Sequence, residues 1–130
     1  MQLKRFKPDG YTSLSPYLMV TGAQGVIDFL KQTLDAKELR RFDMPDGTIA
    51  HVELRIDDTV VMLAEGGGTW PPFPTWLHVY VPDVDATYNR ALTAGGVAVQ
   101  APEQKPGDPD RRGGVKDPSG NTWWFSTQVG

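Results

Sequence analysis

The order of predicted strands and helices repeats once along the chain. The first series predicts a strand, a helix and three further strands, over residues 14–20, 23–34, 38–43, 49–56 and 59–64. The second series predicts the same elements in the same order, over residues 76–81, 84–92, 97–100, 113–116 and 122–127. One such unit would leave a face of its sheet uncovered, so the repeat predicts an α+β fold of two tandem βαβββ modules that pack together.

The two helices carry end signals in the sequence. Thr21 is the expected N-cap of the first helix, and Asp83 or Asp85 that of the second. Gly95 and Gly96 follow the second helix, where a left-handed residue commonly ends a helix. These signals fix both helices between strands and support the repeated order.

Two stretches rich in glycine and proline separate the predicted elements. In residues 65–75, Trp70 and Phe73 either close over a ligand or plug the end of a sheet. Residues 101–112 combine prolines with charged side chains and predict a mobile rim or a lid.

A tight turn at residues 117–121 leads into an aromatic strand. Side chains alternate along a strand, so Thr122 and Trp124 share one face while Trp123 and Phe125 share the other. At most one of the two tryptophans is therefore expected to line a cleft. The same alternation in residues 51–56 places Glu53 and Arg55 on a face predicted to be solvated or part of an interface.

Composition excludes several classes of function. The chain has 130 residues and no cysteine, which rules out disulfides and thiolate chemistry and suits one domain over residues 1–130. With 13 Lys and Arg against 16 Asp and Glu, scattered along the chain, nucleic acid is not an expected partner. No apolar run approaches the roughly 20 residues that span a bilayer, and no secretory signal is seen, so we expect a cytoplasmic protein without a membrane partner.

Five motifs in a fixed order resemble the vicinal oxygen chelate superfamily, which groups glyoxalases, bleomycin-resistance proteins and extradiol dioxygenases. The motifs are SPYLMV at 15–20, VIDFL at 26–30, HVELRI at 51–56, LHVYVPDVD at 77–85 and DPSGNTWWF at 117–125. Together they are most similar to the PhnB-like or glyoxalase-like branch. Asp110 and Arg111 match an Asp-Arg pair that precedes the penultimate strand in this branch, and the resemblance implies an ion pair that fixes the loop. The resemblance implies a cupped mixed sheet in each module, with modules at about 13–65 and 75–128 and a cleft between them.

The resemblance also implies four positions for metal ligands, which align with Ser15, Met62, His78 and Trp124. A catalytic divalent metal needs about three imidazole or carboxylate donors, and only His78 is a good ligand. No cofactor is therefore expected. The alternative is a divalent metal held by His78 with help from Glu65 or His51.

Relatives of the bleomycin-resistance type lack the metal ligands and hold a drug in an aromatic groove between two chains. The resemblance therefore predicts that this chain binds or sequesters a small organic molecule, an antibiotic or a metabolite, in an aromatic cleft. The expected ligand-binding residues are Tyr17, Met62, Glu65, Trp70, His78, Tyr80 and Trp124.

Two other functions are consistent with the same residues. One is a glyoxalase-like lyase, isomerase or epimerase with His78 as catalytic base or metal ligand. The other is a dimeric scaffold without a ligand. The resemblance implies a homodimer in each case, either with or without exchange of modules between chains.

Overall fold

The computed structural model describes residues 5–130, which form two βαβββ modules in tandem. The elements of the first module are β1 (Tyr17–Val20), α1 (Ala23–Leu34), β2 (Lys37–Asp43), β3 (Ile49–Ile56) and β4 (Thr59–Glu65). Those of the second are β5 (Trp76–Tyr80), α2 (Val84–Thr93), β6 (Val97–Glu103), β7 (Asp110–Lys116) and β8 (Thr122–Gln128). The predicted α+β fold and its internal repeat are confirmed. Neither α1 nor α2 is long and apolar enough to cross a membrane, and residues 5–130 contain no other helix that could.

Each module forms its own four-stranded mixed sheet. The strand orders are β1-β4-β3-β2 and β5-β8-β7-β6, so the first strand of each module pairs in parallel with the last one. The remaining pairs are antiparallel. This arrangement sets Tyr17 beside Met62 in the first sheet and His78 beside Trp124 in the second.

One continuous core lies between the sheets and the helices. Alternate strand residues enter it, such as Val52 and Leu54 from β3 and Trp123 and Phe125 from β8. The helices α1 and α2 also pack against each other, which joins the two modules. Because side chains alternate, the other face of each sheet points away from its helix.

We name these two faces after their modules. The first open face is the side of the first sheet that carries Tyr17, His51, Glu53 and Met62. The second open face is the side of the second sheet that carries Trp76, His78, Trp124 and Ser126. Both candidate sites lie on these faces.

The start of α1 differs from the sequence prediction. Its N-cap is Gly22, in the left-handed conformation with φ of 72°, and not Thr21. The Glu65 carboxylate at the end of β4 accepts hydrogen bonds from the backbone N–H groups of Gly22 and Ala23, both at 2.8 Å. A side chain distant in sequence therefore satisfies the free donors of this helix. In α2, Asp83 is the N-cap and accepts from Ala86 N at 3.1 Å.

Half of the predicted rim or lid over residues 101–112 is strand. β6 continues to Glu103 and β7 begins at Asp110, so only residues 104–109 connect them. Pro102 is accommodated because β6 is the edge strand of its sheet. The expected Asp110–Arg111 ion pair is also wrong. Arg111 pairs with Asp85 at 2.8 Å, whereas Asp110 pairs with Arg112 at 3.4 Å.

The turn before β8 is organised around a buried carboxylate. Asp117 is 3% exposed and accepts hydrogen bonds from Ser119 N at 2.8 Å and Asn121 N at 3.1 Å. It also accepts from Asn121 Nδ2 at 3.1 Å and from the Trp123 indole N–H at 2.9 Å. Gly120, with φ of 90°, supplies the left-handed residue that the turn needs. One side chain thus fixes both the turn and the orientation of the largest core residue.

Removing this carboxylate should destabilise the whole chain. We expect Asp117→Ala to lower the free energy of unfolding by about 3 kcal/mol, because buried N–H donors lose their acceptor. Urea denaturation followed by far-ultraviolet circular dichroism measures the change. The matched control is Asp46→Ala, since Asp46 lies in an exposed turn and accepts one hydrogen bond, from Thr48 N. An equal loss in both variants would contradict the role given to Asp117.

Candidate functional site

The predicted ligand-binding residues do not converge on one cleft within a single chain. Tyr17, Glu65 and Trp70 line a cavity of about 520 Å³ on the first open face. His78 and Trp124 line a cavity of about 430 Å³ on the second open face. The two cavities have no lining residue in common. Met62 lies beside Tyr17 in the first sheet, and Tyr80 lies on β5 beyond His78.

An aromatic wall forms one side of the second cavity. The rings of Trp76 and Trp124 meet edge to face, with centroids 5.3 Å apart and planes at 66°. Trp76 is 74% exposed. Gly114 on β7 makes room for the second ring, because a Cβ there would lie 2.6 Å from Trp124 Cζ3. The Trp124 Nε1 atom is buried and has no acceptor among residues 5–130.

The side chain of Trp123, which precedes Trp124 in β8, points to the other face of the sheet. It is 1% exposed, in the core between the sheet and the helices. Alternation along β8 therefore leaves Trp124 as the one member of the pair on the open face, as expected from the sequence.

A polar cluster lies next to this wall. His78 Nε2 is 2.9 Å from the Ser126 hydroxyl oxygen, which also accepts a hydrogen bond from Arg112 Nε at 3.0 Å. Burial lowers the pKa of His78 below its usual range, and the positive charge of Arg112 lowers this pKa further. At neutral pH the imidazole is therefore uncharged and can accept a proton.

The guanidinium of Arg112 is held by two carboxylates. It donates to Asp108 at 3.1 Å and to Asp110 at 3.4 Å. The Tyr80 hydroxyl also donates to Asp110, at 2.7 Å, and this hydrogen bond raises the pKa of Tyr80. Tyr80 stacks edge to face on His78 with ring centroids 4.8 Å apart. Ser126 and Tyr80 thus contact the His78 ring, and the carboxylates hold Arg112 and Tyr80 in place beside it.

Sequence reasoning did not select Arg112 or Ser126. The antiparallel register of β7 and β8 pairs these two residues directly. Alternation along β8 places Ser126 on the same face as Trp124. Only the register between β7 and β8 places Arg112 on that face.

The strand register also corrects the alignment of the implied metal positions. Tyr17, and not Ser15, occupies in the first module the position that His78 occupies in the second, since they pair with Met62 and Trp124. Ser15 precedes β1 and lies in no strand.

The residues at these positions do not fit a catalytic divalent metal. Within residues 5–130, no three His, Asp or Glu side chains are grouped so that they could hold one. Moreover, His78 shares Ser126 with the cationic Arg112. The positive charge of Arg112 beside the His78 imidazole opposes the binding of a metal cation there. We therefore derive no chemical step through a metal.

The first open face contains a buried carboxylate that the sequence did not indicate. Glu53 is 2% exposed, which contradicts the solvated or interface position expected for it. It accepts hydrogen bonds from Arg40 Nε at 2.9 Å and from the Tyr11 hydroxyl at 2.5 Å, and it lies 2.7 Å from His51 Nε2. Burial alone would raise the pKa of Glu53, but the hydrogen bonds from Arg40, Tyr11 and His51 hold it at about 2.

The hydrogen bonds continue from Glu53 to the cavity. His51 Nδ1 lies 2.8 Å from the Tyr17 hydroxyl, whose side chain lines the cavity of the first open face. Trp70 is 70% exposed at the rim. Glu65 also borders this cavity, but its carboxylate is occupied as the cap of α1.

Comparison with known proteins gives a consistent result. The sequence profile of the "Glyoxalase/Bleomycin resistance protein/Dioxygenase superfamily" matches residues 11–125. An uncharacterized protein of Mycobacterium bovis, Mb0911c, is 41% identical over 128 residues, which cover 90% of this chain and 84% of the relative.

Solved structures agree with this match. The crystal structure of TioX from a Micromonospora species is 26% identical, with a TM-score of 0.76, and the match covers 91% of this chain and 99% of TioX. TnmS3, described as an antibiotic binding protein from a Streptomyces species, is 22% identical with a TM-score of 0.68. That match also covers 91% of this chain and 99% of the other, and at this identity it shows the fold alone.

The buried carboxylate of the first open face predicts a dependence of stability on pH. The pKa of Glu53 in the folded chain, about 2, is below its ordinary value of 4.5. The stabilisation is therefore complete above 4.5 and is lost as the pH falls towards 2. We expect Glu53→Gln to unfold more easily at neutral pH, by about 1–3 kcal/mol, and to approach the wild type in acid.

Urea denaturation between neutral pH and about pH 2.5 tests this. The matched control is Glu103→Gln, which removes an exposed carboxylate of β6 and should leave the pH profile unchanged. A constant difference between Glu53→Gln and wild type at every pH would show that Glu53 is not the group responsible.

Proposed function

Because the chain belongs to the glyoxalase/bleomycin resistance protein/dioxygenase superfamily, we propose that it binds a small organic molecule against the second open face. The observation that carries this proposal is the aromatic wall of Trp76 and Trp124 beside an open cavity of about 430 Å³. An antibiotic or a metabolite with a planar ring system is the expected ligand, and sequestration without chemistry is its expected outcome.

The physical basis is the exposed indole of Trp76. A large apolar ring that is 74% exposed beside a cavity gains free energy when a flat ligand covers it. The buried Nε1 of Trp124, which has no acceptor within residues 5–130, is a donor that a ligand acceptor could satisfy after a small shift of the ring. The exposed indole of Trp76 and the N–H of Trp124, unpaired in the described part of the chain, both cost free energy in the absence of a ligand. A bound ligand would reduce both costs.

Polar groups around the wall would orient the ligand. His78 and Arg112 are among the polar residues that line the cavity, and the others are Gln100, Glu103, Lys105 and Asp108. Charges of both signs are present, so the ring system and not a net charge is the expected determinant of binding. TnmS3, which has the same fold, is described as an antibiotic binding protein.

We further propose that the chain forms a homodimer. Tyr17, Trp70, Trp76 and Tyr80 expose aromatic surface on or beside the open faces, between 46% and 74% of each residue. A second copy of the chain would cover much of this surface and would close cavities that are open in one chain.

Binding at the aromatic wall can be tested with three planar tricyclic probes of different charge: proflavine, quinizarin and anthraquinone-2-sulfonate. We expect at least one of them to quench tryptophan fluorescence with saturation. In Trp76→Ala, the affinity measured by calorimetry should fall about fivefold, because a stacking partner is lost.

The matched control for Trp76→Ala is Leu14→Ala, which removes an exposed side chain before β1 and should bind as the wild type does. If none of the three probes binds, or if both variants bind equally well, the aromatic wall is not the binding surface.

A second candidate function rests on the His78 imidazole. Its lowered pKa leaves it uncharged at neutral pH, and Ser126 and Arg112 fix its position. These features suit a general base in a glyoxalase-like lyase, isomerase or epimerase. Enzymes of this kind that depend on a metal would need His78 as a ligand.

Metal-dependent chemistry can be separated from binding by thermal unfolding. We expect Ni²⁺, Zn²⁺, Mn²⁺ and Fe²⁺ each to leave the Tm of the chelator-treated protein unchanged, because the donor set around His78 is incomplete. A rise in Tm that is lost in His78→Ala would contradict this expectation and would favour the enzyme.

A further inference from the structure

We propose that the first open face binds a small apolar molecule through a hydroxyl or phenol group whose O–H donates to Tyr17 Oη. This inference deepens the proposed function by naming a ligand class for the other open face. It rests on the chain being a small-molecule binder, but it does not need the aromatic wall of the second module.

Glu53 fixes the direction of a chain of hydrogen bonds. Glu53 is buried and ionised, so it accepts hydrogen bonds and donates none. Its neighbour at 2.7 Å, His51 Nε2, must therefore carry a proton. In a neutral imidazole the other nitrogen, Nδ1, is then an acceptor.

The acceptor at His51 Nδ1 determines what Tyr17 can do. Beside a neutral His51, the Tyr17 hydroxyl, 2.8 Å away, donates its one proton to Nδ1. Only the lone pairs of Tyr17 Oη are left for another partner. A phenol hydroxyl usually both donates and accepts hydrogen bonds. Because of Glu53 and His51, the Tyr17 hydroxyl can only accept a hydrogen bond from a ligand.

The surroundings of Tyr17 determine the rest of the ligand. Met19, Met44, Ala64 and Trp70 contribute to the lining of the cavity of about 520 Å³ beside Tyr17. An apolar molecule fits this lining, and one O–H group on it would extend the chain of hydrogen bonds. An ether or a ketone at the same place would bring its lone pairs against those of Tyr17 Oη, and this repulsion would exclude it.

The first experiment determines which ring nitrogen of His51 carries a proton in the wild-type protein. Long-range ¹H–¹⁵N correlation spectra distinguish the two tautomers of histidine, and the chain has only two histidines. The spectrum of His78→Gln assigns them. We expect His51 to be protonated at Nε2 and bare at Nδ1. A proton on Nδ1 would overturn the proposal, because Tyr17 would then be free to donate.

The second experiment compares p-cresol with 4-methylanisole, which differ in the O–H group. The ¹³C-methyl resonances of Met19 and Met44 report binding at this cavity, and the chain has four methionines to assign. We expect p-cresol to bind about tenfold more tightly, which is about the effect of one hydrogen bond. Equal affinities, or no shift of these methyl groups with either compound, would overturn the proposal.

Two variants separate the hydrogen bond from the apolar contact. Tyr17→Phe keeps the ring and should reduce p-cresol to the affinity of 4-methylanisole. His51→Leu removes the acceptor for the Tyr17 proton, so the affinity for 4-methylanisole should rise towards that for p-cresol. A preference for p-cresol that persists in Tyr17→Phe would overturn the proposal, and the wild-type spectra decide the matter if a variant does not fold.

The outcome can be told apart from a failure of the proposed function. A loss of affinity for proflavine, quinizarin or anthraquinone-2-sulfonate in Trp76→Ala reports on the second open face, whereas the methyl resonances of Met19 and Met44 report on the first open face. Binding at one face and not at the other identifies which of the two proposals has failed.

Discussion

Each sheet buries one of its two faces against a helix, and both candidate sites depend on this one-sided burial. Since side chains alternate along a strand, every residue that enters the core places its neighbour on the open face. Burial of Trp123 turns Trp124 towards the second cavity, and burial of Leu54 turns Glu53 to the opposite side of its sheet. A shift of one residue in β3 would place the Glu53 carboxylate in the core, and a shift of one residue in β8 would exchange the positions of Trp123 and Trp124.

The parts of the fold that depend on local periodicity could be predicted from the sequence. The helix at 23–34 and the strand at 49–56 agree with the structure to the residue, because apolar spacing and turn residues define them. Features that depend on distant partners could not. Glu65 caps a helix that begins about forty residues earlier, and no local signal distinguishes it from the expected cap at Thr21. Pro102 resembled a loop residue because its position in an edge strand is a property of the sheet.

The candidate site could be predicted only in part for a similar reason. The face of Trp124 follows from counting along one strand, whereas the partners of His78 depend on the register between strands. Ser126 and Arg112 meet because β7 and β8 pair in one particular register. The parallel register of β1 and β4 is not set by a short turn, so the sequence alignment chose Ser15 two residues before the position that pairs with Met62.

The two modules use equivalent positions for different purposes. Glu53 pairs with Met62 across the first sheet, as Gly114 pairs with Trp124 across the second. In the second module the missing side chain of Gly114 allows the indole of Trp124 to lie against the sheet. In the first module Glu53 fills that space with a charge that must be hydrogen-bonded, and its partners extend the network to the cavity. The difference between the Glu53 side chain and the hydrogen of Gly114, together with that between Met62 and Trp124, therefore separates a polar relay from an aromatic wall, and the repeated fold presents two chemically distinct surfaces.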